Sequence, residues 1–162
     1  MNFTEDISLE VAQLAVDFKG TLVTGLDVAG DAANFTFDKH RAAFALAKAA
    51  GVCITIHAGE ADGAASIWEA LDVLGADRIG HGVRAVEDDM LVRRLATDRI
   101  HLETCPCCNI QIGLGLDQPV TMANHPIHEL RAKGVSLGIS WCDLLLIFGS
   151  VSAGFLYINQ TI

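Results

Sequence analysis

Positive charge is scarce in this 162-residue chain: 11 lysines and arginines face 20 aspartates and glutamates, for a formal net charge of -9. That balance excludes a polyanion such as nucleic acid as a partner and leaves a small neutral molecule open. Prolines number only three, and no repeat, low-complexity linker or charge block divides the chain, so one domain with a sizeable core is expected. Neither a basic n-region nor an apolar h-region follows Met1, and the five cysteines are an odd number, three of them in Cys105-Pro106-Cys107-Cys108. A disulfide framework is not implied, and a cytoplasmic protein with reduced thiols is the expectation. The apolar run from Leu144 through Ile158 spans about 15 residues, short of the roughly 20 that a membrane-spanning helix needs.

What the chain does have is apolar sequence. Hydrophobic residues make up 51%, and several segments are continuous apolar runs instead of alternating ones, which favours α/β over a sandwich. Helical spacing of Ile7, Leu9, Val11, Leu14, Ala15 and Phe18 predicts a helix over 7–18, opened by Thr4, Glu5 and Asp6. A strand is predicted from Thr21 to Leu26, and Asp27-Val28-Ala29-Gly30-Asp31 leaves it through a glycine suited to close approach of a ligand. An alanine-rich helix over 38–50 ends at Gly51 and precedes the strand Val52 to Ile56. A helix over 64–74 turns Ile67, Leu71 and Leu74 inward; then come the short strand Arg78 to Gly80, a helix over 88–97 with Met90, Leu91 and Leu95 on its apolar face, and the strand Ile100 to Thr104. Residues 112–126 are loop-like, and a helix over 127–133 leads to a last strand, Val135 to Ile139.

This α-β alternation predicts a parallel sheet with right-handed crossovers. Because the interesting polar residues follow the strands, a (β/α) barrel is the expected architecture. Five strands are visible against the eight that a closed barrel needs, so the expectation is a partial TIM-type barrel lacking its first strands.

The centre of the chain is Ile54-Thr55-Ile56-His57-Ala58-Gly59-Glu60, a β-branched run that ends in a histidine and a carboxyl on a glycine-bearing turn. Two readings of it stand open on spacing alone. A neutral imidazole binds a divalent metal and a nearby carboxyl moves protons. Equally, His57 is a satisfied core histidine and Glu60 a helix N-terminal acid, with Gly63 and Ser66 ordinary turn and first-turn residues.

Four stretches taken in order, Gly25-Leu26-Asp27-Val28-Ala29-Gly30-Asp31, His57-Ala58-Gly59-Glu60, Arg78-Ile79-Gly80-His81-Gly82-Val83 and Leu102-Glu103-Thr104-Cys105-Pro106, resemble the strand-end motifs of the adenosine deaminase family, zinc hydrolases on a TIM barrel. The resemblance implies Zn2+ as cofactor, with His57 as a ligand. It implies that Glu60 protonates the purine ring nitrogen, that His81 orients and deprotonates the metal-bound water, and that Gly30 lies against the substrate. Adenosine or deoxyadenosine would then be converted to inosine-type product and ammonia. Gly80 before His81 leans towards adenosine over adenine, while relatives acting on other 6-aminopurines share much of the pattern.

The sequence departs from that pattern twice. No His-x-His pair occurs among the six histidines, although the family's first strand supplies two zinc ligands in this way. At the last strand Ser140-Trp141-Cys142-Asp143 replaces an Asn-Thr-Asp-Asp type motif. Cys142 stands where a zinc ligand belongs and Asp143 where a purine-contacting aspartate belongs; thiolate binds zinc, and a one-position slip would instead put Asp143 on the metal. A third reading ends the resemblance at Ser140, with 1–140 the partial barrel and 141–162 an apolar tail of other origin.

Other constellations point elsewhere less well. Cys105-Pro106-Cys107-Cys108 lacks the paired Cys-x-x-Cys spacing of structural zinc sites, and the cytidine-type signature fails at both Glu60 and Pro106. An open half-barrel is expected to expose two sheet edges and an uncovered apolar interior, and so to self-associate. A catalytically inactive remnant, or a subunit working only by association, is the alternative to a deaminase.

Overall fold

The structure, a computed structural model, describes residues 7–30, 37–116 and 118–140. Its framework is a five-stranded parallel sheet in the order β1 (Gly25–Val28), β2 (Cys53–Ala58), β3 (Arg78–His81), β4 (His101–Thr104), β5 (Ser136–Ile139). Sequential order with every pair parallel is the winding of a barrel wall. The helices α1 (Ser8–Asp17), α2 (Arg41–Ala49), α3 (Ala64–Asp72), α4 (Asp89–Thr97), α5 (Pro106–Ile112) and α6 (Ile127–Ala132) fall between the strands, with one-turn 3-10 segments at Asp38–His40 and Val83–Glu87. The expected partial barrel is what the described residues form.

Register explains how the sheet divides its two faces. Val28, Ile56, Ile79, Leu102 and Leu137 lie opposite one another across the sheet. With Leu26 and Ile54 they form a core against Ala12, Ala15, Phe44, Ile67, Leu91, Leu95 and Leu130 of the helices. The alternate positions carry Asp27, Thr55, His57, Arg78, His101, Glu103 and Ser136. Side chains alternate faces along a strand, so the helix-free face is polar. Arg78 Nε lies 2.9 Å from Glu103 Oε1 and donates to Thr55 Oγ1 at 3.2 Å, while His101 Nδ1 and Ser136 Oγ are 2.8 Å apart. The expected uncovered apolar interior is therefore corrected: the apolar side chains all went to the helix-covered face.

Three element assignments also change. The first strand runs Gly25–Val28, not Thr21 to Leu26; Thr21 bonds back to Phe18 in a turn and Leu22 is 98% exposed. Asp27 thus sits inside a strand. Helix α1 packs through Ala12 and Ala15, and leaves Ile7, Val11, Leu14 and Phe18 exposed, because two small residues allow close approach to α2. In α4, Met90 faces solvent while Leu91, Val92 and Leu95 are buried. Thr4, Glu5 and Asp6, named for the first cap, lie outside the described residues. Among the described residues no helix is long and apolar enough to cross a membrane.

Candidate active site

The sheet delivers its chemistry at the carboxyl ends of β1, β2 and β3. Asp27 and His57 share the polar face of neighbouring strands, and Asp27 Oδ1 lies 3.1 Å from His57 Nδ1. A carboxylate on one ring nitrogen fixes the tautomer with its proton there and turns the other nitrogen, Nε2, into the ligand or acceptor atom. Gly80 lies opposite His57 in the β2–β3 ladder. A β-carbon there would lie 2.9 Å from His57 Cγ, so glycine is what lets the imidazole lie over β3.

Glu60 follows on a tethered loop. Gly59, at φ +68°, makes the turn, and a β-carbon on it would collide with Ile67. The Gly59 amide donates to Ser66 Oγ at 2.9 Å, and Ser66 donates in turn to the Gly63 carbonyl at 2.9 Å. From the other side, Arg84 donates to the Ala61 carbonyl at 2.7 Å and is held by Glu87 at 2.6 Å. The loop is pinned at Gly59, Ala61 and Gly63, which leaves Glu60 a restricted reach.

That reach ends on His81, whose Nδ1 is 2.9 Å from Glu60 Oε1. His81 is almost fully buried and adopts φ +63°, a left-handed backbone that a side chain makes costly. The bend aims its ring at the His57 ring, edge to face with centroids 5.3 Å apart. Gly30, His57, Ala58, Gly59, Glu60, Ala61, Asp62 and His81 line a shallow, open cleft. The sequence-predicted Gly30, His57, Glu60 and His81 thus come together. Cys142 and Asp143 lie outside the described residues.

One residue in the cluster is not signalled by any of the sequence motifs. Asn109, fully buried on α5, donates from Nδ2 to Glu60 Oε1 at 2.8 Å and lies 3.2 Å from His81 Nδ1. Its neighbour Cys108 points its thiol at the same oxygen, 3.6 Å away. Pro106 at the first helical position was the available signal that a helix begins there, placing 105, 108 and 109 on one side. Cys105 and Cys108 are buried and Cys107 is exposed. Glu103 pairs with Arg78 at 2.9 Å. Burial pushes the pKa values of His101 and His125 below the ordinary histidine value, and His125 Nδ1 accepts from the Ile127 amide at the start of α6.

Comparison with known proteins places this geometry. The adenosine deaminase family model matches residues 2–155. The chain is 41% identical over 142 residues to an adenine deaminase of Rhizobium leguminosarum bv. trifolii, covering 88% of this chain and 43% of that protein. It is 44% identical over 121 residues to an adenosine deaminase of Erwinia tasmaniensis, covering 75% of this chain and 35% of that protein. The crystal structure of an adenine deaminase from Arthrobacter aurescens superposes with a TM-score of 0.73 at 31% identity, over 86% of this chain and 41% of the other. The chain spans less than half the length of these relatives. In sequence and in fold, it belongs to the adenosine deaminase family.

Proposed function

We propose that this chain carries part of the active site of a hydrolytic purine deaminase, acting on adenosine or deoxyadenosine and releasing ammonia. The observation that carries the reading is the Glu60–His81 contact of 2.9 Å beside His57 in one cleft. Replacing an amino group on an aromatic ring carbon by water needs a base for the water and an acid for the ring nitrogen. His81 takes the first role and Glu60 the second, giving the ring nitrogen its proton as water adds at the neighbouring carbon. Gly30, without a side chain, lets the purine lie against the cleft wall. Adenine and other 6-aminopurines are the nearest competing substrates, since relatives named for adenine and for adenosine are matched about equally well.

Zn2+ is the proposed cofactor, and His57 suits it as a ligand through Nε2 because Asp27 occupies Nδ1. Among the described residues no group of three or more histidines, cysteines, aspartates or glutamates is arranged to hold a metal. The described residues therefore supply one ligand and not a site, and further ligands have to come from Cys142, Asp143 or other sequence. Zinc, when bound, supplies a water acidic enough to react near neutral pH.

The test is adenosine-to-inosine conversion by the purified chain with added Zn2+, followed by absorbance. Turnover that falls by about 10²- to 10⁴-fold in Glu60→Gln, with zinc content unchanged, supports the assignment of Glu60 as general acid. Retained turnover removes Glu60 from the mechanism, and absence of turnover in the parent chain overturns the reading for this chain on its own.

A further inference from the structure

We propose that Asn109 is a positioning residue of the reaction, holding Glu60 by Oε1 against His81 so that Oε2 is the oxygen that carries the proton to the substrate. The inference rests on Glu60 being the acid.

Glu60 Oε1 is crowded with donors: Asn109 Nδ2 at 2.8 Å, His81 Nδ1 at 2.9 Å and the Cys108 thiol at 3.6 Å. Among the described residues, Oε2 takes none of these bonds. A carboxylic acid carries its proton on the oxygen that is not already accepting, so three donors on Oε1 direct the proton to Oε2. The same arrangement settles His81. A proton on Nδ1 serves Glu60 and leaves Nε2 as the basic nitrogen, the form needed to accept a proton from water.

Asn109 is costly as a packing residue. It is 0% exposed, and its Oδ1 has no hydrogen-bond partner among the described residues. A leucine of similar size would fill the space without burying an unsatisfied carbonyl. What leucine lacks is the Nδ2 donor, the one feature of Asn109 that bonds Glu60 Oε1, the oxygen that His81 Nδ1 also reaches. Of the two α5 side chains that reach Glu60 Oε1, this amide makes the shorter bond, 2.8 Å against 3.6 Å from the Cys108 thiol.

Asn109→Leu keeps the shape and removes the donor. In the intact chain with Zn2+, kcat is expected to fall roughly 10-fold, the effect of losing one hydrogen bond, with KM within about twofold and thermal stability kept or raised. Unchanged kcat overturns the proposal. A second measurement stands without turnover: in metal-free, ¹⁵N-histidine-labelled chain, His81 is expected to show one tautomer with its proton on Nδ1, and averaged tautomers in Asn109→Leu. Identical His81 signals in both forms overturn the proposal even if the chain deaminates nothing, so failure of the deaminase reading is seen separately as inactivity of the parent chain. Asn109→Ala, which also lacks the donor and adds no charge, carries the same kcat and tautomer expectations if leucine prevents folding.

Discussion

Asp27 Oδ1 sits 3.1 Å from Nδ1 of His57, across two neighbouring parallel strands. His57 projects two residues beyond the ladder partner of Asp27, Thr55, on the same face, so the contact is diagonal and only a long enough β1 makes it. Had β1 ended at Leu26, Asp27 would lie in a loop and His57 would lose the group that orients it.

Asp27→Asn keeps the shape of that contact and weakens it. A carboxylate behind a ligating histidine raises its basicity and fixes its ring, and losing such a partner weakens metal affinity about 10- to 100-fold. Competition of wild-type and variant chain for zinc against a chromogenic chelator measures the change. Equal affinities would show that Asp27 does not act through His57.

Gly80→Ala tests the gap under the imidazole. The new β-carbon would lie 2.9 to 3.0 Å from three ring atoms of His57, closer than packed carbons sit, and the ring has to swing away from Asp27. Overpacking of this kind costs about 1–3 kcal/mol, read as a fall in the denaturant midpoint, and zinc affinity falls with it. A variant as stable and as zinc-competent as the parent would show that the ring moves freely.

Much of this was legible in the sequence, and the reasons for the rest are physical. His57 was readable because the β-branched run Ile54-Thr55-Ile56 stops in it beside a glycine-bearing turn, and His81 because the short strand Arg78 to Gly80 ends in it before Gly82. The register was less so: Thr21-Leu22-Val23 has strand-like composition, yet the chain turns there because the ladder partner of Cys53 is Gly25. The polar inner face escaped notice because Thr55, Arg78 and Glu103 are separated by more than 20 residues each, and their mutual contacts exist only once parallel strands align. Asn109 was missed for the same reason, its partners lying 49 and 28 positions away.

Ser66→Ala probes the loop that carries Glu60. The Ser66 hydroxyl is the acceptor for the buried Gly59 amide and itself donates to the Gly63 carbonyl. Alanine leaves that amide unsatisfied at a cost of about 1–3 kcal/mol. Chemical denaturation gives the stability change, and any deaminase activity should fall as well because Glu60 follows Gly59 directly. A loss of stability with activity untouched would detach the tether from the site.

A pH-dependent term lies at the start of α4. Asp88 caps the helix, accepting from the Met90 amide at 2.8 Å and the Leu91 amide at 3.3 Å, and it accepts from the Trp68 indole at 2.9 Å. The Trp68 hydrogen bond first, and then the backbone amides, favour the charged form and hold the Asp88 pKa below its ordinary value of 3.8. A carboxyl whose folded pKa is lower than its unfolded one stabilises the fold above the unfolded value, and that contribution disappears as pH falls through the folded value. Asp88→Asn keeps an acceptor oxygen and abolishes the titration. Wild type should therefore melt above the variant at pH 7, and the gap should narrow once pH drops below about 4. A gap that stays constant from pH 7 to pH 2, measured by thermal melts of both chains in matched salt, would mean that the cap acts through geometry and not through its charge.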